Sequence, residues 1–159
     1  MAKEIERKFL VKSHWRPETE GLRIVQGYLS TADSPVVRVR IYGDKGYLTV
    51  KGKTEGISRS EYEYEIPLRD AEEMLRLCPE PPVEKIRHRI PLDGHTFEVD
   101  VFHGANEGLV LAEVELSSPD EPFTRPDWIG KEVSADSHYY NSNLAKHPFT
   151  KWQTARANI

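Results

Sequence analysis

Near the start of the chain, acidic and basic side chains recur at every second position: Glu4, Glu6 and Lys8, interleaved with Ile5, Arg7 and Phe9. In an extended strand, side chains at i, i+2 and i+4 share a face. The same spacing returns six more times. Arg38/Arg40, Lys51/Lys53 and Lys85/Arg87/Arg89 are wholly basic sets, and Glu61/Glu63/Glu65, Glu98/Asp100 and Glu113/Glu115 are wholly acidic. Like charges two apart on one face repel, so packing stability alone does not select them. Carboxylates in such numbers hold Mg2+ or Mn2+, and Arg and Lys hold phosphate oxygens. The chemistry that unites both signs is a polyanion bridged by divalent cations.

The elements that must position these residues are strands. Alternation marks 3–11, 22–30, 36–42, 47–53, 59–66, 83–91, 95–102 and 109–116, most of them with one apolar and one charged face. Turn signals at 43–46 and at Asp93-Gly94 favour antiparallel neighbours. Eight strands are the usual size of a small closed barrel, although a sheet wet on one face would show the same alternation. Ala71, Met74, Leu75 and Cys78 have helical spacing, and Pro79, Pro81 and Pro82 end that segment. A second helix is expected at 136–146, where Ser and Asp offer caps. The residues after Lys151 read as a polar tail.

Composition bounds the classes. The 159 residues are 30% charged with a net charge of −4, which does not suit general nucleic-acid binding. Cys78 is the single cysteine, so no intrachain disulfide forms, as befits a reducing compartment. No apolar run approaches a membrane span, and no apolar leader follows Met1. These features lead us to expect a cytoplasmic, single-domain protein over 1–150 with a tail at 151–159. No glycine-rich phosphate loop is present, so side chains must hold any phosphate. His88 falls on the outward phase of its strand and reads as a surface histidine, and Cys78 reads as buried packing.

In order, Glu4-Ile5-Glu6-Arg7-Lys8, RVRIYG, TVKGK, EYEYEI, KIRHRI, FEVDVF, AEVEL and the YYNSNLA stretch at 139–145 resemble the CYTH-domain proteins, the triphosphate tunnel metalloenzymes, beginning with their ExExK signature. The resemblance covers nearly the whole chain. It implies a mainly β, α+β fold: a closed eight-stranded antiparallel β-barrel tunnel with a charged lumen and helices packed outside. It implies Mg2+ or Mn2+ as cofactor and a small-molecule triphosphate as substrate; the charge and hydropathy above lead us to expect no nucleic-acid or membrane partner, and a homodimer is left open. Carried over position by position, Glu4, Glu6, Glu63, Asp100, Glu113 and Glu115 are the implied metal site. Lys8, Arg38, Arg40, Lys51, Lys85 and Arg87 are the implied phosphate ligands. Tyr28, as a lumenal proton acceptor, and Lys8 are the implied catalytic groups. Lys53 and Arg89 share the phase at the tunnel mouths, and Glu61, Glu65 and Glu98 are in phase as ion-pair partners.

The branch most resembled contains small inorganic triphosphatases. The activity expected is hydrolysis of tripolyphosphate to diphosphate and phosphate by a metal-activated water. The alternatives are a class IV-type adenylate cyclase, a thiamine triphosphatase, or a non-catalytic module that binds polyphosphate or nucleoside triphosphates. The full set of acids argues against the last, since plain phosphate binding needs only the bases.

Overall fold

Nine strands and few helices make up the computed structural model, which describes residues 3–30 and 32–152. The strands are β1 (Lys3–Val11), β2 (Leu22–Tyr28), β3 (Val36–Tyr42), β4 (Lys45–Lys51), β5 (Ser58–Ile66), β6 (Val83–Leu92), β7 (His95–His103), β8 (Val110–Glu115) and β9 (Ile129–Glu132). Helix α1 (Leu68–Leu77) follows β5, and α2 (Asn141–Lys146) follows β9 after a 3-10 turn at Ser137–Tyr139. All pairings are antiparallel. The order β5-β4-β3-β2-β6-β7-β8-β1 is closed by β1 pairing back onto β5, which makes an eight-stranded barrel. The expected fold class therefore stands.

Most of the charged phases face inward, and on β1, β7 and β8 the outward phase is apolar and covered, whereas on β5 the outward Tyr62 and Tyr64 are exposed. Phe9, Phe97, Val99, Ala112 and Val114 form one core outside β1, β7 and β8, roofed by Trp15, Phe123 and Trp128. A second core lies at the α2 end. There the lumen phase itself turns apolar: Val36, Val83, Phe102 and Leu111 continue the faces that carry Arg38, Lys85, Asp100 and Glu113. They pack with Tyr28, Tyr139 and Leu144, so the barrel is filled at that end and charged beyond it.

Several boundaries differ from the sequence reading. β9 was not foreseen. It is four residues just after a proline-rich stretch, too short for alternation to register, and it pairs with the C-terminal part of β1. The turn after β3 is two residues, Gly43-Asp44, so Tyr42 faces Lys45 and Gly46 belongs to β4. Gly46 is there because α1 crosses it: a Cβ would lie 2.7 Å from the Ala71 Cβ. The helix expected at 136–146 is interrupted at Tyr140, whose ψ of 132° is extended. Asp136 does cap the first turn, accepting from the His138 N–H. His88 is buried at 5% exposure rather than at the surface, because Trp15 packs on its ring and Thr19 Oγ1 sits 3.1 Å from Nδ1. The tail at 153–159 lies outside the described residues. Among the described residues, no helix is long and apolar enough to cross a membrane.

Candidate active site

A cavity of about 350 Å³ opens inside the barrel. Seven bases line it, Lys8, Arg38, Arg40, Lys51, Arg59, Lys85 and Arg87, and seven acids, Glu4, Glu6, Glu61, Glu63, Glu98, Glu113 and Glu115. Strand order segregates them. Neighbours β8, β1 and β5 carry most of the acids, and neighbours β6, β2 and β3 carry Lys85, Arg87, Arg38 and Arg40.

The acidic wall is crowded. Glu6 lies opposite Glu115, and Lys8 opposite Glu113, across the β1–β8 ladder. Burial, then Glu113 and Glu4, hold the Glu6 carboxyl well above its ordinary range. Burial also opposes ionisation of Glu113, but Lys8, the hydrogen bond with Glu6, and Arg87 outweigh it and hold Glu113 well below that range. Burial and the neighbouring carboxylates thus favour a proton on this pair, and Lys8 and Arg87 favour the charge on its Glu113 side. Glu61 is raised by burial and by Glu4, with which it also hydrogen-bonds. Glu115 is raised by burial, then by Glu4 and Glu98. Lys51 donates to both Glu4 oxygens, at 3.1 and 3.2 Å, and lies 3.4 Å from Glu61.

The basic wall is organised around Asp100 and Gln26. Arg87 grips Asp100 with two bonds of 2.8 and 2.9 Å, and Lys85 Nζ lies 2.6 Å from its Oδ2. Burial favours neutral Asp100, but these two cations reverse that and lower it. Lys85, 1% exposed, is pushed down to about 7 by burial, helped by Arg87 and Arg40 and opposed by Asp100. Gln26 accepts from Arg40 Nε at 2.7 Å and donates to the Tyr28 hydroxyl and to Asn141 Oδ1. Asn141 Oδ1 also accepts from Lys85. Burial, then Arg38 and Arg87, lower Arg40 to about 9, which leaves it a cation at neutral pH. Arg38 donates to Thr49 and Glu63. Burial raises the Tyr28 hydroxyl despite Arg38, Arg40 and Lys8 nearby.

The residues singled out from the sequence are therefore brought together, with four exceptions, one of which is Glu65, exposed and away from the cavity. Asp100 is not on the cavity surface, since Lys85 and Arg87 take both its oxygens. Lys53 lies beyond the end of β4 and is exposed, and Arg89 is exposed with its guanidinium toward Glu98. Sequence reasoning passed over Gln26, Thr49, Arg59 and Asn141. Gln26 shares the phase of Tyr28, Thr49 that of Lys51, and Arg59 that of Glu61, so their placement was readable. Asn141 sits at a helix start, where no periodicity marks it.

A divalent cation suits this donor set. Carboxylates of Glu4 and Glu61, and of Glu6 and Glu113, touch each other, which requires a proton in each contact or a cation in its place. Among the described residues no three potential ligands form a complete cage. Mg2+ needs none, because it keeps several waters and completes its shell with substrate phosphates.

The family model for the CYTH domain matches residues 2–147. The chain belongs to the CYTH domain family. A CYTH relative from Acetivibrio thermocellus, an inorganic triphosphatase, is 50% identical over 155 residues, spanning 96% of this chain and 99% of its own. An inorganic triphosphatase of Nitrosomonas europaea is 41% identical over 147 residues, spanning 89% and 96%. The crystal structure of the inorganic triphosphatase NE1496 matches the CYTH barrel described above with a TM-score of 0.66 at 39% identity, over 91% of this chain and 95% of that one.

Proposed function

We propose that this CYTH protein hydrolyses inorganic tripolyphosphate to diphosphate and phosphate, with Mg2+ or Mn2+ as the divalent cofactor. The observation that carries the reading is the cavity's division into an acidic and a basic wall, the form that suits a metal–polyphosphate complex. The relatives named above support it.

In this reading Arg38, Arg40, Lys85 and Arg87 bind and orient the phosphate chain, forks to oxygens and ammonium as point charge. Their present partners, Asp100, Gln26 and Asn141 for three of them and Thr49 and Glu63 for Arg38, hold the nitrogens apart before substrate arrives, so little reorganisation accompanies charge development. Glu4, Glu6, Glu113 and Glu115 are the proposed metal-holding carboxylates, with Glu63 at their flank. When bound, the cation neutralises phosphoryl oxygens and lowers the pKa of its water. Asp100 acts through Lys85 and Arg87 as a positioning residue. Lys8 stands beside Glu113 on the acidic wall and donates to the Tyr139 carbonyl. The raised pKa of Tyr28 makes it a poor base at neutral pH. Its oxygen accepts from Gln26, which leaves its proton free for a phosphate oxygen.

Water attack on the terminal phosphorus breaks the P–O–P bond, diphosphate leaves, and the water proton passes to an ionised carboxylate of the acidic wall. A second reading, nucleoside triphosphate hydrolysis, is favoured by Tyr42 and Tyr47, whose rings line the same cavity. Phosphate release from tripolyphosphate, ATP and thiamine triphosphate, with Mg2+, Mn2+ or excess EDTA, tests both. Tripolyphosphate is expected to have the highest kcat/KM, with activity lost in EDTA and restored by metal. Preference for ATP, cyclic AMP as product, or turnover in EDTA would sink the first reading.

A further inference from the structure

Like Lys8 on β1, Arg59 is a base on the acidic wall. It is in phase with Glu61 and Glu63 on β5, faces Glu4 across the β1–β5 seam, and lines the cavity. Its Nε donates to the Gly52 carbonyl at 3.2 Å. That carbonyl is itself fixed, because the Gly52 N–H donates to the Ser60 carbonyl and a Cβ at position 52 would meet Ser60 Oγ at 2.3 Å. The guanidinium is thus tethered at one nitrogen by the carbonyl of a loop that is itself hydrogen-bonded to β5.

The other six cavity cations have their charge engaged. Lys8 donates to a carbonyl, Arg38 to Thr49 and Glu63, Arg40 to Gln26, Lys51 to Glu4, and Lys85 and Arg87 to Asp100. Arg59 differs. Among the described residues its two terminal nitrogens make no hydrogen bond or ion pair. Glu4, the carboxylate directly opposite, gives both oxygens to Lys51 instead. A tethered guanidinium with an open fork, facing a basic wall across a cavity of phosphate scale, is arranged for an external anion.

We infer that Arg59 is a substrate-binding residue whose fork grips a phosphoryl group of bound tripolyphosphate from the acidic wall, clamping it against Arg38 and Arg40. The inference rests on the proposed substrate, so its test does not depend on turnover. The bridging-imido analogue of tripolyphosphate, which resists hydrolysis, is titrated calorimetrically in Mg2+ into wild type, Arg59→Ala and Arg59→Lys, with melting curves of the ligand-free proteins alongside. Expected is a loss of affinity of roughly 10- to 100-fold in Arg59→Ala, with the ligand-free melting temperature unchanged. Arg59→Lys, which keeps the charge and loses the fork, should recover only part of it. Unchanged affinity in Arg59→Ala overturns the inference. So does full recovery in Arg59→Lys, which would mark a diffuse charge effect, or a fall in ligand-free melting temperature in step with affinity, which would mark a loop anchor. Wild-type binding of the analogue without tripolyphosphate turnover would sink the proposed activity and leave the role of Arg59 intact.

Discussion

Glu6 illustrates how one charge in this cavity acts on both stability and chemistry. Its carboxyl is raised by burial, Glu113 and Glu4, so the folded protein keeps a proton that the unfolded chain has released. Metal-free stability therefore falls as pH rises from the ordinary carboxylate range through the raised value. Glu6→Gln removes that slope, and the metal-free variant should melt at the same temperature as wild type or higher. Mg2+ should stabilise it less, because a ligand raises stability only as far as it binds the folded state. Turnover of tripolyphosphate should drop by about two orders of magnitude, at ~1.4 kcal/mol of transition-state stabilisation per tenfold. Paired melts with and without Mg2+ and a phosphate-release assay decide it. A destabilised metal-free variant with near-normal turnover would make Glu6 architecture. Lys85 gives the opposite slope: pushed down to about 7, it loses its charge where an exposed lysine keeps it. Folded protein then holds fewer protons than unfolded between about pH 7 and the ordinary lysine range near ~10.4, and Lys85 makes stability rise with pH there. Anion binding needs the charged form, so kcat/KM should decline above about pH 7. In Lys85→Arg that alkaline limb should disappear, and a pH profile of both proteins checks it.

At the scale of elements, the period-2 charge pattern read directly as barrel lining, because an inward strand face admits charge only where a cavity or partner receives it. What alternation does not carry is who the partner is. Asp100 looks identical to Glu98 in FEVDVF, yet it pairs across β6–β7 with Arg87 and is withdrawn from the cavity. Arg59 stood in phase beside three glutamates and was eclipsed by them. β9 was invisible because four residues hold too little pattern, and it is pinned instead by contacts remote in sequence, Arg7 to Glu132 among them. Helix α1 depends on one small contact. In Gly46→Ala the new methyl would meet the Ala71 Cβ and lift the helix from β4, at a cost of about 1–3 kcal/mol. Chemical denaturation should show that loss as a lower midpoint. Turnover per folded molecule at 25 °C should stay near wild type, since neither residue reaches the cavity.

For the molecule as a whole, the closing seam is the narrowest join of the eight-stranded barrel. β1 meets β5 through three residue pairs, Lys3↔Ser60, Glu4↔Arg59 and Ile5↔Ser58, whereas β3 and β4 share seven. The seam also brings Glu4 to Lys51 and Glu61, so a cation and polyphosphate bound there tie the two edges together. Saturating Mg2+ and diphosphate at about 100 times Kd should add about 2.7 kcal/mol to stability. Amide hydrogen exchange should slow most at Lys3–Ile5 and Ser58–Ser60. Uniform slowing over all strands would show that ligand does not act through the seam.

The strand that completes that seam is also an early one to leave the ribosome. β1 takes partners on β5, β8 and β9, and Lys8 waits for Glu113 about a hundred residues later, roughly 5–20 s at normal elongation rates. Until then its charged face has no lumen to line and its apolar face no cover. Distant pairings of this kind also slow folding, since the loop must close before the contacts repay it. The alternation of Glu4, Glu6 and Lys8 with Ile5 and Phe9 that makes the cavity therefore has a second effect during synthesis. It keeps a strand soluble and reluctant to pair with copies of itself while the rest of the barrel is made.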